Sequence, residues 1–229
     1  MILSTNQPYL FPYLGFFYKA HLSDVFVILD TVQFPRGTTW LTRNRFKNDQ
    51  GTLWMTIPVW KKGLGLQKIN QVRICHEGYW AKKYLTSLKS AYSKSPYLKD
   101  HLMFLEEIFS TGHEMLINMN LSIINYFFKQ FGIKTKTVLL SELGIEAKGV
   151  QLLVEICRRT GADHFLAQSP TKKYLDMDFL QSAHIKTIFF HPPSWVYPQL
   201  WGDFIPNLSA LDPVLNCGPK ASEILKAEF

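Results

Sequence analysis

Short apolar segments occur at both ends of this chain, and each is followed by a polar loop and then a helical pattern. This order limits the possible folds more than any other feature. Strands are expected at residues 2–4, 25–30, 135–140, 163–168 and 185–190. Helical patterns at 149–160 and 179–183 separate the last three strands. Strands that alternate with helices in this way form a parallel sheet. The sequence therefore predicts an α/β fold with a mostly parallel sheet and helices on both faces.

The middle of the chain departs from this alternation. Residues 43–48 and 52–59 are typical of two strands joined as a hairpin by the turn Asp49-Gln50-Gly51. A further short strand is expected at 71–74. From 78 to 131, apolar residues recur every three or four positions, which is the helical spacing. We expect one domain over residues 1–229, with a helical insertion at about 78–131 packed against it.

Composition and charge narrow the class of protein. The chain has 229 residues, a net charge of +7 and 3 cysteines. Cys75, Cys157 and Cys217 lie far apart, which is typical of free thiols in a reducing compartment and does not favour a zinc site. No stretch approaches the roughly 20 apolar residues that cross a bilayer, and the N-terminus lacks a signal-peptide pattern. We expect a cytoplasmic protein with no metal and no membrane insertion.

The loop that follows the first strand is the first candidate site. Small molecules bind α/β folds outside the carboxyl ends of the strands, and two prolines restrict the backbone of this loop. The predicted substrate-binding residues here are Asn6, Gln7, Pro8, Tyr9 and Gly15. The alternative interpretation is a hydrophobic loop that packs under the sheet.

A second candidate group follows the second strand. It consists of Asp30, Gln33, Trp40, Arg43, Asn44 and Arg45. Arg43 and Arg45 are two residues apart, so on a strand their side chains face the same side. Guanidinium groups bind phosphates and carboxylates bidentately. The alternative is a solvated basic edge strand, which protects a sheet from aggregation.

Polar residues also follow the later strands. Lys148 stands at the start of a helix, after an expected loop at 141–144, where an anion could bind; a plain capped loop is the alternative. Ser169 follows the fourth strand of the pattern. His191 follows the last strand and is a candidate general base, because the pKa of histidine lies near neutrality. A lone histidine with a structural role is the alternative.

The C-terminal segment supplies the remaining candidates. They are Tyr197, Gln199, Asn207 and Ser209. Asn207 and Ser209 could instead cap and begin the last helix.

Several long motifs extend along this chain. They are NQPYLFPYLG at 6–15, DVFVILD at 24–30, RNR at 43–45, SELG at 141–144, YPQ at 197–199 and FIPNLS at 204–209. Together they resemble the WbqC-like family, which occurs in bacterial gene clusters for O-antigen and other surface polysaccharides. The resemblance covers nearly the whole chain.

The resemblance implies a transferase that adds an aminoacyl group, with glycyl the suggested one, to an amino sugar. On this interpretation His191 or Asp30 deprotonates the amine, and Arg43 and Arg45 bind phosphates or a carboxylate. The sugar would be oriented by Gln7, Tyr9 and Gln199.

A looser resemblance connects the start of the chain to nucleotidylyltransferases, which hold ATP at an HxGH loop. Here residues 14–16 are Leu-Gly-Phe, so phosphates would be held by Arg, Lys and backbone N–H groups instead. ATP or another nucleotide is the cofactor candidate, and a nucleotide-linked amino sugar is the expected partner. The alternative function is a non-catalytic nucleotide-sugar-binding or scaffold protein. A nucleic-acid partner is not expected, because no helix-turn-helix or RNP motif is visible.

Overall fold

The computed structural model describes residues 1–227. The strands are β1 (Ile2–Asn6), β2 (Val25–Ile28), β3 (Arg43–Asn48), β4 (Gly51–Thr56), β5 (Lys136–Leu139), β6 (His164–Gln168) and β7 (Lys186–Phe190). The α-helices are α1 (Leu14–His21), α2 (Trp80–Ala91), α3 (Leu98–Ser110), α4 (Leu116–Phe131), α5 (Leu140–Leu143), α6 (Gly149–Thr160), α7 (Met177–Ser182), α8 (Leu211–Cys217) and α9 (Lys220–Lys226). No helix in this part of the chain has both the length and the apolar composition to cross a membrane.

A five-stranded sheet with the order β5-β2-β1-β6-β7 forms the centre of the fold. All of its neighbouring strands run parallel. Successive residues of β2 point to opposite faces: Phe26 and Ile28 join the core that includes α1 and α4, whereas Val25 and Val27 join the core that includes α6 and α7. The predicted parallel sheet with helices on both faces is confirmed.

The strand order reverses between β1 and β6. The chain runs from β1 to β2 and β5 on one side, and then returns to β6 and β7 on the other side. In open α/β sheets a ligand binds at this reversal, in the crevice outside the carboxyl ends of the strands. The topology therefore predicts a ligand site near the loops that follow β1, β6 and β7.

The hairpin β3–β4 and helices α2, α3 and α4 are inserted between β2 and β5. Asn48 pairs with Gly51 across the predicted hairpin turn. The buried ring of Phe11, in the loop after β1, lies 5.7 Å from the ring of Phe46 and 6.3 Å from the ring of Phe127. The insertion and one face of the sheet thus share a single core.

Two local predictions were wrong. In place of a strand at 71–74, a 3-10 helix covers Ile69–Gln71, and Ile74 makes only an isolated bridge with Val59. The expected loop at 141–144 folds largely as helix α5, which Gly144 ends with a φ of 63°. The buried carboxylate of Asp30 accepts the Ser141 N–H at 2.9 Å. This contact comes from a distant part of the chain, so the local sequence does not reveal it.

Candidate functional site

A pocket of about 290 Å³ opens beside the reversal of strand order. Its walls come from the first turn of α1, the carboxyl ends of β6 and β7, and the long segment before α8. The lining includes Tyr13, Gln168, His191, Tyr197 and Asn207. Its size and its mixture of apolar and polar groups suit part of a small-molecule ligand.

His191 and Ser169 form a polar pair on the β6–β7 side of this pocket. The Oγ atom of Ser169 lies 3.1 Å from Nδ1 of His191, and it also donates to the Phe190 carbonyl at 3.2 Å. A serine hydroxyl has one hydrogen. When that hydrogen is donated to the Phe190 carbonyl, Oγ can accept a hydrogen bond from Nδ1–H. In that tautomer of His191 the Nε2 atom is unprotonated and can accept a proton from a ligand.

Tyr13 and Gln168 form a second pair at the point where the strand order reverses. The side-chain amide of Gln168 donates to the Tyr13 hydroxyl at 2.6 Å. Burial raises the pKa of Tyr13, so its phenol is neutral at physiological pH. In residues 1–227 the Tyr13 hydroxyl has no acceptor for its own hydrogen within hydrogen-bond distance. It can therefore donate a hydrogen bond to a ligand.

The loop between β1 and α1, which we call the first loop (residues 7–13), is held rigidly. The buried Asn44 amide donates to the carbonyls of Leu10 and Phe11 at 2.8 and 2.7 Å. The buried Asn120 amide donates to the carbonyl of Pro8 at 2.8 Å. Phe11 has a φ of 42°, which is rare for a residue other than glycine. Such backbone conformations cluster at functional sites and persist where the surroundings enforce them.

The opposite rim of the pocket is built on the cations of β3. Nη2 of Arg45 donates to the carbonyls of Pro206 and Asn207 at 3.1 and 2.9 Å. Nζ of Lys47 donates to the Asp203 carbonyl at 2.7 Å and to Oε1 of Gln199 at 3.1 Å. These bonds fasten the segment of residues 199–207, which we call the rim segment, to the hairpin.

A buried polar cluster lies behind this rim. The Tyr92 hydroxyl donates to Oδ1 of Asp212 at 2.8 Å and accepts the Lys47 N–H at 3.3 Å. Burial raises the pKa of Asp212 to about 6, although Tyr92, Tyr197 and Lys47 oppose that effect. Burial also raises the pKa of Tyr197, whose ring lines the pocket. The cluster connects the pocket wall to α2, β3 and α8.

Four of the predicted residues lie at the pocket or bond directly to its walls. His191, Tyr197 and Asn207 line it, and Ser169 is bonded to His191. Gln199 is bonded at both ends of its amide to the backbone of Ile205, so it shapes the rim segment. The predicted roles of these side chains toward a substrate stay predictions.

Asp30 is not brought near His191. It follows β2, whereas His191 follows β7, and β1 and β6 lie between those strands. At about 4.8 Å per strand, the separation is roughly 14 Å. Asp30 is 2% exposed and its carboxylate accepts the Ser141 N–H. One proton-transfer step at one substrate atom cannot use both groups directly.

The other predicted residues fall into three groups. Asn44 is buried beneath the first loop. Ser209 precedes Ala210, the N-cap of α8, and its hydroxyl accepts the Leu211 N–H at 3.2 Å. Asn6, Gln7, Pro8, Tyr9 and Gly15 belong to or flank the first loop, and burial raises the pKa of Tyr9. Gln33, Trp40 and Lys148 are exposed.

Arg43 and Arg45 lie on one face of β3, as the alternation of side chains along a strand predicts. Their guanidinium carbons lie 3.8 and 5.9 Å from the centre of the Trp54 ring. Lys47 continues the same alternation but was not among the predicted site residues.

Tyr13 and Gln168 were not predicted either. Gln168 is a polar residue at the end of a strand, which is the pattern that indicated the other site residues. Nothing near Tyr92 in the sequence indicates its contact with Asp212.

Residues 1–227 contain no group of three or more His, Cys, Asp or Glu side chains that could hold a metal ion. The polar groups of the pocket are hydroxyls, amides and one imidazole, which can form hydrogen bonds with neutral or anionic groups.

Comparisons with known proteins agree with the motifs. Residues 7–224 match the WbqC-like protein family, so the chain belongs to that family. It is similar to an uncharacterized protein, Rv1507c, of Mycobacterium tuberculosis, with 28% identity over 217 residues, which is 94% of this chain and 93% of the relative. No solved structure matches the chain.

Proposed function

We propose that this member of the WbqC-like family transfers an aminoacyl group, with glycyl the first candidate, to the amino group of a nucleotide-linked amino sugar. The product would enter surface-polysaccharide (O-antigen) synthesis, and the reaction would take place in the cytoplasm. The single observation that carries the proposal is the His191–Ser169 pair in a pocket at the reversal of strand order.

The chemistry required of the protein is modest. The sugar amine attacks the carbonyl carbon of an activated aminoacyl donor, so that a C–N bond forms and the bond to the donor's leaving group breaks. Nε2 of His191 accepts the proton that the amine loses and returns it to the leaving group or to water. Tyr13 and Gln168 lie where they can orient the sugar, and positioning supplies much of the remaining acceleration. ATP would enter as the source of donor activation.

A transfer assay tests this proposal. Purified protein is mixed with glycyl-adenylate and a panel of UDP- and dTDP-amino sugars, and mass spectrometry detects glycylated sugar. The His191→Asn variant should lower the rate about 10²- to 10⁴-fold, the range expected on loss of a general base.

His184→Asn is the matched control. His184 is exposed like His191, but it precedes β7 and so lies at the amino ends of the strands, opposite the pocket. Asparagine tolerates the φ of 60° at this position. This variant should keep the wild-type rate. If no donor and acceptor pair yields product with the wild-type protein, the transferase proposal is wrong.

One observation favours a second function, the binding of a nucleotide-sugar without turnover. Within residues 1–227 the hydrogen-bond partner of the His191 side chain is the neutral hydroxyl of Ser169, and no carboxylate orients the imidazole. On this proposal an amino-sugar nucleotide at a hundred times its dissociation constant adds about 2.7 kcal/mol to the free energy of unfolding. Thermal stabilisation without any product would support this second function over the first.

A further inference from the structure

We propose that Trp40, Arg43 and Trp54 form a nucleoside-diphosphate anchor next to the pocket. Arg43 would bind the diphosphate and the indoles would stack on the base. The inference rests on the proposed function in one respect, since the sugar attached to that diphosphate is the one placed in the pocket.

The three side chains lie in contact on the surface of the hairpin. The guanidinium carbon of Arg43 is 3.8 Å from the centre of the Trp54 ring, and the Trp40 and Trp54 rings are 5.7 Å apart. Trp40 and Trp54 are 43% and 45% exposed. Exposed indoles that lie side by side are uncommon on a protein surface unless something covers them.

Arg43 is the cation of β3 that remains available for a ligand. Arg45 and Lys47 are bonded to carbonyl groups of the rim segment. Within residues 1–227, Arg43 makes no side-chain hydrogen bond or ion pair, and its Nε atom is buried without a partner. Stacking on Trp54 holds the guanidinium plane in place. A fixed, unpaired guanidinium group matches a phosphate oxygen pair.

The backbone around Trp40 and Arg43 is already ordered by hydrogen bonds. The Trp40 carbonyl accepts the Leu10 N–H of the first loop at 2.8 Å, and the Arg43 N–H donates to the Thr39 carbonyl at 3.2 Å. The Asn120 amide donates to the Leu41 carbonyl at 2.9 Å. A site that is ordered before binding loses less entropy when a ligand arrives.

The platform formed by Trp40, Arg43 and Trp54 is connected to the pocket rim through Arg45 of β3. Arg45 bonds to Pro206 and Asn207, which line the pocket, and Arg43 lies two residues away along β3. Two residues of a strand span about 7 Å. A diphosphate at Arg43 therefore places an attached sugar at the pocket rim, and the base on the far side reaches the indoles. Base stacking on aromatic side chains tolerates any base, because every base has a π face.

A nucleic acid fits this surface less well. Binding along a polynucleotide depends on many phosphate contacts. On this face of β3 the guanidinium of Arg43 is free, whereas the charges of Arg45 and Lys47 are already bonded to the protein. One free guanidinium beside two indoles matches a single nucleotide.

The test compares UDP with uridine by titration calorimetry and ligand-observed NMR. Arg43→Gln should weaken UDP binding about tenfold or more and leave uridine binding unchanged, because uridine has no phosphate. Trp54→Leu should weaken the binding of both. Arg73→Gln and Trp60→Leu are the matched controls, since both residues are exposed and line a different cavity, to which Trp40, Arg43 and Trp54 do not contribute. Both variants should bind UDP as the wild type does.

Three results would overturn the anchor. They are the absence of UDP binding by the wild type, unchanged binding in both Arg43→Gln and Trp54→Leu, or a tighter, steeply salt-dependent binding of single-stranded oligonucleotide that the same variants abolish.

Failure of the anchor can be told apart from failure of the transferase, because UDP binding requires no donor and no turnover. Loss of UDP affinity in Arg43→Gln without product in any transfer assay supports the anchor and rejects the transferase. Product formation by Arg43→Gln with an unchanged KM for the nucleotide-sugar supports the transferase and rejects the anchor.

Discussion

Because Gly15 has no side chain, the Tyr13 ring can occupy the space next to it at the edge of the pocket. A Cβ atom at Gly15 would lie 2.4 Å from Cε2 of Tyr13, which is closer than any real contact. The Tyr13 ring would have to move, and it would then lose the 2.6 Å hydrogen bond from Gln168. The small residue in the first turn of α1 thus determines where a pocket side chain lies.

We expect Gly15→Ala to destabilise the protein by about 1–3 kcal/mol, the usual cost of overpacking, and to weaken ligand binding in the pocket. Urea unfolding measures the first effect. In a Tyr13→Ala background the same change should instead stabilise, because alanine favours a helix by about 1 kcal/mol over glycine once the ring is gone. Gly37→Ala is the control, since an added Cβ there meets nothing within 4 Å. Equal effects of Gly15→Ala in both backgrounds would contradict this explanation.

At the scale of elements, the inserted hairpin and α4 hold the first loop in its functional shape. The loop follows β1, but the amides that bind its carbonyls belong to Asn44 on β3 and Asn120 on α4. Both asparagines are buried. The insertion therefore acts as the support for a loop of the parallel sheet.

We expect Asn44→Ala to lower the free energy of unfolding by about 2–4 kcal/mol, because two buried carbonyls lose their donor. Asn44→Asp should cost at least as much, since it keeps the shape of the side chain but replaces the donating amide with an acceptor. Asn118→Ala, at an exposed position on α4, should change stability by less than about 0.5 kcal/mol. A mild effect of Asn44→Asp in urea unfolding would show that the two hydrogen bonds are not what holds the loop.

At the scale of the whole molecule, Asp212 joins parts of the chain that are far apart in sequence. Its carboxylate on α8 accepts from Tyr92 at the end of α2, and that hydroxyl accepts the backbone N–H of Lys47 on β3. Burial raises the pKa of Asp212 to about 6, whereas an aspartate in an unfolded chain has a pKa near 3.9. Between these values the folded state holds a proton that the unfolded state has lost.

The stability contribution of Asp212 is therefore fully present below about pH 4 and is lost as the pH rises through about 6. The difference between these two pKa values corresponds to a fall of about 3 kcal/mol in the free energy of unfolding. The free energy of unfolding, measured with urea at pH 4 and at pH 7, should therefore fall less between these pH values in Asp212→Asn than in the wild type, by about this amount. Asp178→Asn, at an exposed position on α7, should keep it. A wild-type pH dependence in Asp212→Asn would contradict the assignment.

Local sequence patterns were enough to predict the sheet and part of the site. Strand–helix alternation predicted the parallel sheet, and the polar residues at the ends of β6 and β7 pointed to Ser169 and His191, which are in contact. His191 and Asp30 were alternative candidates for the base, and strand order places Asp30 away from His191, which lines the pocket. The order of strands is set by long-range pairing, which a local pattern cannot express.

The sequence by itself determined most of the strands and helices, because side-chain periodicity and turn residues act over a few positions; the segments at 71–74 and 141–144 are the exceptions. It also determined that polar groups would gather at the carboxyl ends of the strands. Only the tertiary structure decided that Tyr13 meets Gln168, that Lys47 and Arg45 hold the rim segment, and that Tyr92 reaches Asp212. These contacts join residues that are 120 to 162 positions apart in the sequence, and they depend on how whole elements pack rather than on any local preference.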